Sequence, residues 1–175
     1  MARGDEEFVE FAQASSARLQ RAAYLLTGDR HQAEEIAQAT LVRVYAAWGR
    51  VRRRDPYAYA RTVLANLVHD QWRRPIREYA TEVMPEQEAP QDVADDVTRR
   101  RWLISALGAL SARERSVIVL RHLLDASEAE VARDLNMAKG TVKSLNSRGL
   151  AKLRVTAGIR EPAPEQINTE IEVRR

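Results

Sequence analysis

Ala126-Ser127-Glu128-Ala129-Glu130-Val131-Ala132-Arg133-Asp134-Leu135-Asn136-Met137-Ala138-Lys139-Gly140-Thr141-Val142-Lys143-Ser144 is the stretch that decides how this chain is read. Ser127 is a helix N-cap, and Glu130 three residues on completes a capping box, which satisfies two orphan N–H groups at once. Val131 and Leu135, four apart, set an apolar stripe, and Ala132 is small enough to let another helix come close. Asn136 to Gly140 tolerates a turn. Thr141 is then expected to cap a second helix whose apolar side carries Val142, Leu145, Leu150 and Leu153. Two short helices about such a turn form a helix-turn-helix, whose second helix lies in the major groove of DNA. That helix carries or adjoins Lys139, Lys143, Arg148, Lys152 and Arg154 and has no acid. The competing reading is an ordinary helical hairpin with a basic, solvated face.

Working outward, Ser111-Ala112-Arg113-Glu114 is another capping box, opening a helix through Val117, Ile118, Leu120 and Leu123. Thr98–Leu110 reads as a helix through Trp102, Leu103, Ala106, Leu107 and Leu110. Before it, Glu78–Asp96 has Pro85, Pro90, many acids and few apolar residues, the composition of an extended linker. Nearer the N-terminus, Phe8, Phe11, Leu19, Ala22, Ala23 and Leu26 recur at helical spacing and predict a helix over Asp5–Leu26, with Gly28 as its C-cap. A second helix is expected from about His31 to Trp48, with Ile36, Ala37, Leu41, Val44, Tyr45 and Trp48 inward. Gly49–Arg54 reads as a basic loop. Asp55-Pro56, a cap followed by proline at the first helical position, opens a third helix that ends at Arg73-Arg74-Pro75. The expected fold is all-α: two small helical domains, 5–75 and 98–157, an acidic linker 76–97, and a mobile tail 158–175. Trp48 is expected in the core; for Trp72, core packing and base stacking are both open.

At 175 residues the chain holds one domain or two small ones. It has no cysteine, hence no disulfide framework and no thiolate metal site. Its three histidines, His31, His69 and His122, are scattered. No apolar run approaches the roughly 18 residues of a membrane span, and no signal-peptide pattern is present, so a cytoplasmic location is expected. The net charge of +3 conceals a pattern. Gly49–Arg74 is basic, Ile76–Thr98 acidic and Arg99–Ala157 basic again. Two basic blocks, each beside a helical pattern, read as a nucleic-acid footprint; the plainer meaning of a charge run is a solvated helix face. There is no Walker loop, no GxGxxG, no HExxH and no placed triad, so an enzyme has no support and no cofactor or metal is expected. Glu34-Glu35 reads as a solvated face.

Two stretches together resemble an RNA polymerase sigma factor of the extracytoplasmic-function (ECF) type in the sigma-70 family. Tyr24-Leu25-Leu26-Thr27-Gly28-Asp29-Arg30-His31-Gln32-Ala33-Glu34-Glu35-Ile36-Ala37-Gln38 is similar to the family's region 2.1–2.2. Leu110-Ser111-Ala112-Arg113-Glu114-Arg115 through Gly140-Thr141-Val142-Lys143-Ser144 is similar to region 4. Gly140–Ser144 followed by Ser147-Arg148-Gly149-Leu150 resembles a SigE-like subgroup of high-GC Gram-positive bacteria, and 25 arginines against three lysines agree with that composition.

The resemblance implies an initiation factor with core RNA polymerase (β′ clamp and β flap) and promoter DNA as partners, an anti-sigma factor as an optional one, and no membrane. It implies polymerase contacts at Glu35, Gln38 and Arg43. It implies −10 DNA contacts among Arg50, Arg52, Arg53, Arg54, Arg61, Asn66, His69, Trp72, Arg73 and Arg74, where bases are held by stacking and a basic groove. It implies −35 contacts among Arg121, Lys139, Thr141, Lys143, Ser144, Ser147 and Arg148. The chain departs from many relatives at Ala39, where they carry an acid, at Leu145, where they carry arginine, and at Asn146, where they carry an aliphatic residue. Readout of −35 is then expected to rest on Lys143, Ser144 and Arg148 or on DNA shape. The alternative is a stand-alone helix-turn-helix regulator, which needs a dimer interface to read two half-sites.

Overall fold

The computed structural model describes residues 3–73 and 91–158, and among these residues it is helical with no strand. The helices are α1 (Arg3–Thr27), α2 (Arg30–Ala46), α3 (Trp48–Val51), α4 (Pro56–Arg73), α5 (Gln91–Gly108), α6 (Ala112–His122), α7 (Glu128–Asp134) and α8 (Lys139–Thr156). Their ends follow local chemistry. Gly28 takes φ +73°, open to glycine without a Cβ penalty, and its N–H closes α1 onto the Tyr24 carbonyl at 2.8 Å. Asp29 then starts α2 by accepting the Gln32 N–H at 2.9 Å. Asp55 starts α4 by accepting from Ala58 N–H at 2.9 Å. Ser111 and Ser127 form the two expected capping boxes with Glu114 and Glu130. Asn136 turns the chain between α7 and α8 at φ +50°, a conformation asparagine tolerates.

In the N-terminal half, α1, α2 and α4 pack around Leu19, Ala22, Ala23, Leu26, Ile36, Val44, Leu64 and Val68, all buried. Each large aliphatic side chain here contributes about 1.5–3 kcal/mol by leaving water. Trp48 is buried as expected, with the Phe8 and Phe11 rings 5.3 Å from its own. Trp72 is half-buried against the same core. In the C-terminal half, α6 and α7 pack on α8 around Val117, Leu120, Leu124, Val131 and Val142. Gly149 sits where α8 crosses α6: a Cβ there would lie 2.9 Å from Ile118 Cγ1. The halves touch, α1 against α5 and α6, and α4 against α7.

The structure corrects several expectations. Gly49–Arg54 is not all loop, because Trp48–Val51 forms a helical turn anchored by buried Trp48 and Val51. Helix α5 begins at Gln91, so residues 91–97, expected in the linker, are helical. Thr141 does not cap α8; the cap position is Ala138, with no side-chain bond, and Thr141 lies inside the first turn. Tyr45 does not point into the core but is half exposed, donating its hydroxyl to Asp5 at 3.0 Å. The rest of the expected linker, Arg74, and the tail beyond Gly158 lie outside the described residues.

Candidate nucleic-acid interface

Helix α8 buries Val142, Leu145 and Gly149 and turns its opposite side to water. Lys139, Gly140, Thr141, Lys143, Ser144, Ser147 and Arg148 are all exposed. Gly140, Ser144 and Ser147 follow one another along the outer line at helical spacing, with Lys143 and Arg148 on its two sides. A Cβ at Gly140 would meet nothing within 4 Å, so nothing inside the protein requires glycine there. Ser144 donates its hydroxyl hydrogen to the Gly140 carbonyl at 3.0 Å, which leaves its oxygen facing outward as an acceptor. No acid occupies the helix. Leu145 is core, so the absence of a donor at that position is structural as well as chemical.

Two basic residues near this face are committed elsewhere. Lys152 donates to buried Glu114 at 2.8 and 3.1 Å, binding α8 to α6. That bond, with the Ser111 cap, holds the Glu114 carboxyl below the ordinary range. Arg121 is half-buried and donates to the Ala126 carbonyl at 2.6 Å, tying the α6–α7 turn rather than facing outward with the α8 residues. Sequence alone signals neither commitment; Lys152 meets Glu114 only because α8 packs on α6.

On α4, Asn66 and Arg73 are exposed and His69 is half-buried between them, at i, i+3 and i+7, with Trp72 beside Arg73. Arg53 and Arg54 are exposed at the start of the same wall. Arg50 lies with its guanidinium carbon 6.0 Å from the Tyr59 ring centre, and Arg52 is paired with Glu7 at 2.7 Å. Arg50, Arg52, Arg53 and Arg54 lie on α3 and the turn before α4, whereas Asn66, His69, Trp72 and Arg73 lie along the C-terminal half of that 18-residue helix. Arg61 does not join them. It is 4% exposed, and its guanidinium donates to Asp134 at 2.8 Å and Glu130 at 2.9 Å, both on α7. Burial pulls this guanidinium down, and the hydrogen bonds to Asp134 and Glu130 outweigh it and carry it above its ordinary value. The Ser127 hydroxyl and N–H, and then Arg61, hold the Glu130 carboxyl down at about 2.

On α2, Glu35, Gln38 and Arg43 are all exposed. Glu35 and Gln38 continue along one line to Val42 and Tyr45, which are 68% and 50% exposed. Sequence reading assigned Tyr45 inward and passed over Val42; its departure from the Ile36–Thr40–Val44 stripe is the signal that marks it. Among the described residues no cluster of histidines and carboxylates could hold a metal ion.

The Sigma-70 region 2 family model matches residues 11–78, and the Sigma-70, region 4 model matches residues 100–153. The chain is 38% identical over 157 residues to an RNA polymerase sigma-E factor of Streptomyces avermitilis, covering 88% of this chain and 87% of that protein. It is 34% identical over 148 residues to the ECF RNA polymerase sigma factor SigL of Mycobacterium tuberculosis, covering 79% and 81%. Among solved structures, the sigma factor RpoE in complex with the anti-sigma factor NepR from Bartonella quintana superposes with a TM-score of 0.66 at 24% identity, covering 89% of this chain and 99% of that one. CnrH in complex with the cytosolic domain of CnrY superposes at 0.60 with 23% identity, covering 88% and 89%. The structural likeness bears on the fold.

Proposed function

The chain belongs to the ECF branch of the sigma-70 family of RNA polymerase sigma factors, and from that premise we infer how its parts divide the work. It is a transcription initiation factor that binds core RNA polymerase and directs it to promoters through −10 and −35 elements. The observation that carries the division of labour is the presence of two basic, outward faces on two separate helical units. The α8 face, Lys139, Thr141, Lys143, Ser144, Ser147 and Arg148, enters the −35 major groove. Lysine and arginine supply phosphate contacts or bidentate donors to guanine, and the serine oxygens accept from base amines. The wall of α3, α4 and their connection, with Arg50, Arg53, Arg54, Asn66, His69, Trp72 and Arg73, receives the unpaired −10 strand by stacking and backbone charge.

The α2 line of Glu35, Gln38, Val42 and Tyr45, with Arg43 beside it, docks on the polymerase clamp. Region 2 takes in the helices α1 to α4, and region 4 the helices α5 to α8, which begin at Gln91. The protein performs no reaction itself; nucleotide addition belongs to the polymerase. Its place is the cytoplasm, with the polymerase; among the described residues no helix is long and apolar enough to cross a membrane. An anti-sigma factor is a partner class that comes with the family.

A titration of labelled chain with purified core polymerase tests the docking face. Gln38→Ala combined with Arg43→Ala should weaken holoenzyme formation while circular dichroism stays unchanged. Equal affinity of the variant and the parent removes α2 from the polymerase contact.

A further inference from the structure

The corner where α3 leads into α4 carries Arg50, Arg52, Arg53 and Arg54 within five residues, and the beginning of α1 is laid against it. Asp5 accepts the Tyr45 hydroxyl at 3.0 Å, just ahead of the corner. The Phe8 ring lies 4.8 Å from Tyr45 and 5.3 Å from Trp48, and the Phe11 ring lies 5.3 Å from Trp48. Glu7 accepts from the Arg52 guanidinium at 2.7 Å. Asp5 with Phe8, and Glu7 with Phe11, are three and four residues apart, so all four stand on one side of α1.

The apolar contacts and the ion pair do different work here. Trp48 and Val51 are buried and anchor the corner in the bundle. The Arg52 and Glu7 side chains are 27% and 42% exposed, and a pair so close to water adds little to folding. What it fixes is direction. Arg52 is the first residue after α3, with its N–H on the Trp48 carbonyl at 3.0 Å. Arg54 donates its N–H to the Val51 carbonyl at 3.0 Å, and Asp55 caps α4 by accepting from Ala58 at 2.9 Å. The turn is thus tied at Arg52, Arg54 and Asp55, while the side chains of Arg53 and Arg54 stay exposed. Like charges in so short a run repel, and the Glu7 carboxylate offsets one of them.

We propose that Glu7 is a positioning residue for capture of the −10 strand: by holding Arg52 against α1 it keeps that guanidinium off the DNA and fixes the turn from which Arg53 and Arg54 reach the unpaired strand. The proposal rests on the −10 role of this turn. An arginine discriminates between bases only when its origin is fixed. On a loose turn it meets whichever phosphate is near, which adds affinity without sequence information. Removing Glu7 therefore has two opposite effects. Arg52 is released to make one more backbone contact, which steepens the salt dependence by about one. The choice among −10 sequences becomes poorer.

Holoenzyme assembled from purified core polymerase and the full chain provides the test. The probes are fork-junction DNAs bearing the unpaired −10 non-template strand of a promoter obtained by run-off transcription, and the same strand with each unpaired base replaced in turn. Glu7→Ala puts a good helix former on α1 and should leave the melting midpoint and the affinity for a −35 duplex as in the parent. Its discrimination between the original and the replaced strands should fall about tenfold, while its salt slope steepens by about one. Glu7→Gln, which keeps an oxygen toward Arg52, should lose less. Glu7→Arg with Arg52→Glu should restore discrimination, a recovery that a general loss of stability does not produce. Unchanged discrimination in Glu7→Ala overturns the proposal, with or without a lowered melting midpoint. So does a loss that the charge exchange leaves unrepaired, because Arg52 would then touch the DNA itself. A parent holoenzyme that binds all the strands equally refutes the −10 role of the turn, and the proposal falls with it.

Discussion

Lys143 and Arg148 stand on either side of the outer line of α8, exposed, on a helix without acids. Lys143→Ala and Arg148→Ala should each weaken −35 duplex binding by roughly 1–3 kcal/mol if the side chain reads a base, or lower the salt slope by about one if it contacts a phosphate. A salt series on all three proteins separates the cases, and identical curves would remove both residues from the interface. Lys152, equally basic on paper, is a control: its ammonium is bound to Glu114, so Lys152→Met should cost stability rather than reduce the salt slope. Glu130 gives the pH behaviour. Its carboxyl is held at about 2 against an ordinary 4.5. The carboxylate's contribution is therefore complete above about 4.5 and is lost as pH falls toward 2. Thermal melts across that window should decline less steeply for Glu130→Gln than for the parent; parallel curves contradict the assignment. Arg61 shows what residue-level reading could not supply. Its place in a basic block argued for DNA, and only the approach of α7, seventy residues on in the chain, reveals its acidic partners.

The helices themselves are largely legible. Ser111, Ser127, Asp29 and Asp55 each accept a backbone N–H within the first turn they open, because small oxygen-bearing side chains compete best at that point. Ser127→Ala should lower stability by about 1 kcal/mol, read as a fall in the melting midpoint and in the helical signal of the C-terminal half. Where the reading failed, tertiary packing overrode local preference. Thr141 is a better cap than Ala138 by chemistry, but α8 starts earlier. The basic Gly49–Arg54 run coils because Trp48 and Val51 anchor it from below. Tyr45 is pulled outward by Asp5 and the Phe8 ring, 4.8 Å away. Gly149, one letter in a short motif, acquires a physical reason at this scale. Alanine there gains helix propensity of about 1 kcal/mol but must displace Ile118 at a cost of about 1–3 kcal/mol. Gly149→Ala should therefore lower the melting midpoint modestly and widen the α6–α8 crossing. A rise in the midpoint would mean that Ile118 swings aside freely.

For the whole molecule, two basic helical units are joined by an acidic segment and touch through arginines. The two basic blocks are visible in the charge pattern, but α5 starts at Gln91, inside the acidic block; the touching is not visible, because Arg61 and its partners Glu130 and Asp134 are distant in sequence. Promoter opening draws on the whole arrangement. Extruding a −10 base costs a few kcal/mol, and stacking returns about 1–3 kcal/mol per base, so the arginines of the α3–α4 wall supply the balance through the backbone. Replacing Arg50, Arg53 and Arg54 by alanine should reduce open-complex formation on duplex promoters and recover in part on a template with a pre-melted −10 bubble. Equal failure on both templates, with a lowered melting midpoint, would mean that these residues only hold the bundle together. The central claim is that this chain gives core polymerase its promoter choice. Run-off transcription from genomic fragments by purified core polymerase, with and without the chain, tests it most directly when paired with permanganate footprinting. Discrete transcripts should appear only when the chain is present, each beginning downstream of a segment whose −10 non-template thymines become reactive. The same transcripts from core polymerase alone, or a chain that protects DNA as a dimer and never associates with the polymerase, would contradict it.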